Sequence, residues 1–237
     1  MIFVLSLLLL MNISSTLFAE EVFSEKECQE IEEVVFKSNT VEYIKSLYTN
    51  NEGVGKFQNA LVSYRLGNQM TNYDYMKKSF DSFEAISKEG TNVFTISYMG
   101  VAHSGLAMLC MNPVEKLDHL KKALTILDKS VALYPDHYLP HFYRGMMNLF
   151  VPGFLGGKED IGTNDIEFVL NKMPEINRNN EFKGFIYFIY AIYWGEMKKK
   201  YSKALDLIAF AETRITDSHF LKGISNKRAE YTRGIKK

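Results

Sequence analysis

In the stretch KKALTILDKSVALYP, Lys121 to Pro135, the residues Ala123, Leu124, Leu127, Val131 and Leu133 recur at the three- and four-residue steps of one α-helix face. Pro135 sets the end of that helix. Proline has no N–H for the hydrogen-bond ladder and restricts the residue before it. A small residue, Ala123, stands twelve positions ahead of the proline. The same interval separates Gly162 from Pro174.

The same periodicity extends over most of the chain. Ser24-x-x-Glu27 is a capping-box pattern at the head of a helix over 24–37. A short helix follows over 41–48, broken at Asn50-Asn51-Glu52-Gly53. Beyond it the pattern predicts helix pairs over 56–70 and 73–88, 93–111 and 113–134, 138–150 and 158–172, and 181–199 and 201–213. A last helix covers 218–234 and runs into a lysine-rich tail. Pro113 suits the first turn of a helix, where its missing N–H costs nothing. Gly100, Ala102, Ser104, Gly105 and Ala107 on the helix over 93–111 permit a close neighbour and place that helix centrally.

These motifs resemble the tetratricopeptide (TPR) repeat over about residues 56–216. The stretch 121–135 resembles the second helix of such a repeat, A-L-x-x-L-x-x-[AS]-x-x-L-x-P. Tyr201-x-x-Ala204-Leu205 resembles the start of another, with Thr216 in place of the proline. Gly145 looks like the family's first-helix glycine, and Gly67 and Tyr73 echo the pattern more loosely. The resemblance implies an all-α fold of stacked antiparallel helix pairs, a right-handed α-superhelix closed at each end by capping helices. It also implies a concave face built from the first helix of each pair. By position that face comprises Leu61, Arg65 and Asn68, then Phe142, Met146 and Leu149, then Ile189 and Tyr193, an apolar and aromatic groove suited to a protein or peptide partner.

Charge and composition narrow the function further. Lys and Arg number 28 and Asp and Glu 28, so the chain lacks the basic excess of a nucleic-acid binder. Ile2 to Met11 is apolar apart from Ser6 and is followed by Leu17-Phe18-Ala19. It reads as a signal peptide over residues 1–19, ahead of a helical-repeat domain over 20–237 in a periplasmic or extracellular setting. With that signal cleaved, no transmembrane helix is expected. Cys28 and Cys110 are the only cysteines, and both read as small buried apolar side chains.

Candidate chemical motifs fail on inspection. The segment ending in Gly157-Lys158 has Pro152 and Glu159 where a phosphate loop needs glycine and Ser/Thr, so it reads as a turn exposing Phe154 and Leu155. His137 and His141 have zinc-ligand spacing, but Pro140 falls between them and no further ligand cluster supports them. They read as surface histidines at a capped helix start, and His103 as a hydrogen-bonded core or groove residue. No nucleophile elbow, H-E-x-x-H or C-x-x-C is present. The expectation is a non-enzymatic exported scaffold with no cofactor and no metal. The alternatives are a ligand-binding accessory subunit of a tripartite solute transporter, with a small ligand, and last a hydrolase on an irregular helical fold.

Overall fold

Short polar side chains start most of the helices. In the computed structural model, which describes residues 23–37, 40–50, 54–176, 178–216 and 218–235, Ser24 opens α1 (Glu25–Val35) with the anticipated capping box. Its hydroxyl accepts from the Glu27 N–H at 3.3 Å, and its own N–H donates to the Glu27 carboxylate at 2.9 Å. Thr40 starts α2 (Val41–Ser46), Asn72 starts α4 (Tyr73–Glu89), Asn92 starts α5 (Val93–Leu109) and Asn179 starts α9 (Asn180–Ile192). Each side chain satisfies a backbone N–H that the helix leaves unpaired. The remaining helices are α3 (Val54–Gln69), α6 (Pro113–Leu133), α7 (Tyr138–Phe150), α8 (Glu159–Lys172), α10 (Tyr201–Glu212) and α11 (Ser218–Ile235). All regular structure among the described residues is helical. The expected export signal, the breaker residues Asn51 to Gly53 and the end of the lysine-rich tail lie outside the described residues.

The chain divides into two compact units, Met1–Ile126 and Leu127–Lys237, with the boundary inside α6. In the first unit α3 and α4 form a hairpin, α5 packs on α4, and α1 and α2 lie against α3. Phe57 and Tyr98 centre the core. Phe57 is 5.7 Å from Phe83 and 6.4 Å from both Phe94 and Tyr98, ring centroid to ring centroid. Rings buried this fully each stabilise the fold by roughly 1.5–3 kcal/mol. Met76 fills the space left by two glycines. A Cβ at Gly67 would come within 2.9 Å of the Met76 backbone nitrogen, and one at Gly105 within 2.5 Å of its sulfur. The small residues of α5 thus have the close neighbour that the sequence implied, and every residue from Val93 to Ala107 is buried except the half-buried Met99 and Ser104.

In the second unit α7 pairs with α8, α9 pairs with α10, and α11 covers α10. Gly145 and Gly162 occupy the contact between α7 and α8. A Cβ at Gly145 would meet Ile166 at 2.9 Å, and one at Gly162 would meet Leu149 at 2.8 Å. Between these helices a 3₁₀ turn over Gly153–Leu155 ends at Gly156, whose φ of 104° favours glycine. It leaves Phe154 86% exposed.

The helix expected over 181–199 differs in its last turn. α9 passes at Ile192 into a π turn, Tyr193–Met197, closed by the Lys198 N–H donating to the Tyr193 carbonyl. Gly195 permits this by lying flat against Tyr231, where a Cβ would sit 2.2 Å from the ring. Lys199, with φ 54°, then turns the chain into α10.

Candidate interaction surface

The eight residues expected to line a groove separate into two groups. Leu61, Phe142, Leu149 and Tyr193 are buried, which corrects their placement on an open face. Phe142 meets Phe182 and Phe185 edge-on at 5.9 and 6.0 Å. Leu149 seats against Gly162. Tyr193 stacks on Tyr190 with ring centroids 5.9 Å apart. The physical reason is that these first helices have apolar neighbours on more than one side, so the periodic face closes into core. Arg65, Asn68, Met146 and Ile189 remain exposed or half-buried. The Arg65 guanidinium lies 4.4 Å above the Phe36 ring, and the Asn68 amide donates to the Tyr64 carbonyl at 3.2 Å.

The histidines also depart from expectation in part. His137 caps α7 by accepting from the Leu139 N–H at 3.2 Å, as a helix-start histidine can. His141 is not a surface residue. Its Nδ1 lies 2.6 Å from Asp165 Oδ1, its Nε2 lies 2.8 Å from the Pro135 carbonyl oxygen, and Phe168 stacks on its ring. Arg144 completes the cluster by donating to both Asp165 oxygens, at 2.7 and 2.8 Å, and to Asp128 at 3.2 Å. Burial alone would raise the Asp165 carboxyl, but Arg144 and His141 outweigh it and hold the group below the usual carboxylate range. Every strong acceptor and donor in this cluster is matched, so it ties α7 to α8 and to the bend at Pro135 as structure. Among the described residues no three His, Cys, Asp or Glu side chains converge as metal ligands. The Cys28 and Cys110 thiols are buried: the Cys28 sulfur accepts from the Asn92 amide at 3.3 Å, and the Cys110 thiol donates to the Asn112 carbonyl at 3.5 Å.

A feature with more open chemistry lies at the π turn. Tyr190 and Trp194 sit one turn apart, and neither the Tyr190 hydroxyl nor the Trp194 Nε1–H has a hydrogen-bond partner among the described residues. Burial pushes the Tyr190 hydroxyl up to about 12. The nearby Trp194 N–H opposes this and the Glu167 charge adds to it, although neither reaches a formed hydrogen bond with Tyr190. The Lys203 ammonium lies 3.7 Å above the Trp194 ring. Along the same two helices Arg214 covers Tyr187 and Phe210 at 5.0 and 5.7 Å. The result is a stripe of aromatic rings topped by cations, with Phe210 51% exposed. Reading the sequence for a groove missed this stripe. The available signal was Trp194, the chain's lone tryptophan, inside the aromatic run YFIYAIYW ahead of three lysines.

Exposed apolar side chains gather elsewhere too. Met108, Met111 and Val114 are 76%, 95% and 77% exposed around the turn from α5 to α6. No helix among the described residues is long and apolar enough to cross a membrane. No protein-family model, no curated protein and no solved structure matches the chain.

Proposed function

We propose that this chain is an exported, non-enzymatic scaffold of TPR-like helix pairs that binds a protein or peptide partner through the accessible parts of its first helices. The observation that carries the reading is the α7–α8 contact. Gly145 and Gly162, the small residues that the repeat resemblance singles out, both lie where these helices come too close for a Cβ. Asn68 on α3, Met146 on α7 and Ile189 on α9 are exposed or half-buried first-helix side chains that a partner could meet, with Arg65 beside them over the Phe36 ring. Export rests on the apolar run from Ile2 to Met11 and the small residue Ala19.

Site-specific photocrosslinking in the producing cell tests the binding face. A crosslinker at Asn68 or at Met146 is expected to give a discrete protein or peptide adduct, and one at the exposed second-helix position Lys129 is not. The same adducts from Lys129, or none from either first-helix position, would sink the assignment. The mature N-terminus, read by mass spectrometry, is expected to begin after Ala19. Retention of Met1 in the cytoplasmic fraction would end the export reading.

A further inference from the structure

His103 on α5 and His119 on α6 face each other with their Nδ1 atoms 3.1 Å apart and their ring centroids 5.2 Å apart. That separation is close to two imidazoles meeting end to end. One Nδ1 carries a proton and donates, and the other accepts through its lone pair. A second proton would put two N–H groups and two positive charges at the same contact. His103 is buried, and the Phe80 ring of α4 lies over it at 4.1 Å.

The charged neighbours offer little relief. From α4 comes Glu84, which is already paired with Lys88 at 3.0 Å. From α6 come Asp118 and Lys122, paired with each other at 2.6 Å, and Glu115, which acts on His119. On α1 and α3, Glu32 accepts the Tyr98 hydroxyl, Arg65 covers Phe36 and Lys56 pairs with Glu89.

We infer that the His103–His119 pair is an acid-sensitive latch between α5 and the first half of α6, closed by one shared proton and opened by a second. Burial pushes His103 down to about 4. The charges of His119 and Lys122 add to that, and Asp118 and Glu84 pull the other way. His119 is also lowered, chiefly by burial. Both native values lie below that of an unfolded histidine, about 6.5. The released state therefore takes up more protons. The latch is complete above about pH 6.5 and is lost as the pH falls from there toward the native values. Met108, Met111 and Val114, already exposed with the latch closed, flank the turn that it secures.

Hydrogen exchange on the full chain at pH 7.5 and pH 5, corrected for the intrinsic rate, tests the latch. Amides of residues 113–122 are expected to lose about tenfold or more of their protection at pH 5. The double variant His103→Gln/His119→Gln is expected to show no such step. An equal loss in the variant, or no step in the wild type, would overturn the latch. Should the variant not fold, titration of the wild-type imidazole nitrogens by NMR decides the matter. A His103 midpoint below 6 supports the latch, and a midpoint at or above 6 refutes it.

Discussion

The Tyr190 hydroxyl is a buried donor without a hydrogen-bond partner among the described residues, and this reverses the usual arithmetic for removing it. A buried tyrosine whose hydroxyl is bonded loses about 1 kcal/mol when cut back to phenylalanine. Tyr190→Phe removes an unsatisfied group, so urea denaturation is expected to show a change between zero and a gain of about 1 kcal/mol. A loss of that size would mean that Glu167 accepts from the hydroxyl in solution. Asp165 behaves oppositely. It is buried between Arg144 and His141, and removing one member of a buried charged set typically costs about 3–5 kcal/mol because its partners are left behind. Asp165→Asn is expected to destabilise on that scale in the same measurement. Its carboxyl is lowered in the native state, so its contribution is complete above about pH 4 and is lost as the pH falls through the lower native value. The variant should lack that acid limb. None of this was legible in the sequence. Asp165 and its two partners lie on different helices, and the spacing of His137 and His141 pointed to a shared surface that the fold does not provide.

At the level of the helix, the close contact at Gly162 yields a prediction whose sign is unusual. Glycine to alanine inside a helix ordinarily stabilises by up to about 1 kcal/mol. At Gly162 the added Cβ would stand 2.8 Å from Leu149 side-chain atoms and 2.9 Å from the Leu149 backbone nitrogen. A backbone atom cannot swing aside, so Gly162→Ala is expected to destabilise by about 1–3 kcal/mol, read as a lower urea midpoint with an unchanged slope. A rise in the midpoint would show that α7 and α8 are further apart than described. Helix ends and contacts of this kind were the most legible part of the chain, because each depends on a local signal. Ser24 with Glu27, and Pro113, announce their helices within four residues. The π turn was hidden for the converse reason. It forms where Gly195 meets Tyr231, a residue on a helix far along the chain, and no window around Tyr193 contains that partner. The groove assignment erred similarly. Helical period puts Leu61 on an apolar face of α3, and Phe142 and Leu149 on one of α7, but is silent on how many neighbours cover each.

Across the whole chain, both units hold carboxylates kept low by their partners, Glu27 and Asp118 among them in the first, and the first adds a lowered histidine pair. The first holds the His103–His119 pair, whose lowered native values place its loss below about pH 6.5. The second holds carboxylates kept low by partners: Glu159 by Lys198, Asp165 by Arg144 and His141 against its burial, and Glu196 by Lys227. Stability from such groups is present above about pH 4 and disappears below it. Trp194 is the only tryptophan and lies in the second unit, so its fluorescence reports that unit by itself. Its indole N–H is buried, and any loosening of the π turn would wet the ring and shift its emission to longer wavelength. Between pH 7 and pH 5 the emission maximum is expected to stay constant while residues 113–122 lose exchange protection, and the red shift should appear only below about pH 4. A shift that accompanies the loss of protection above pH 5 would show that the second unit yields along with the first. The separation of acid responses by unit would then have to be abandoned, whereas the latch would still stand or fall on the histidine variants.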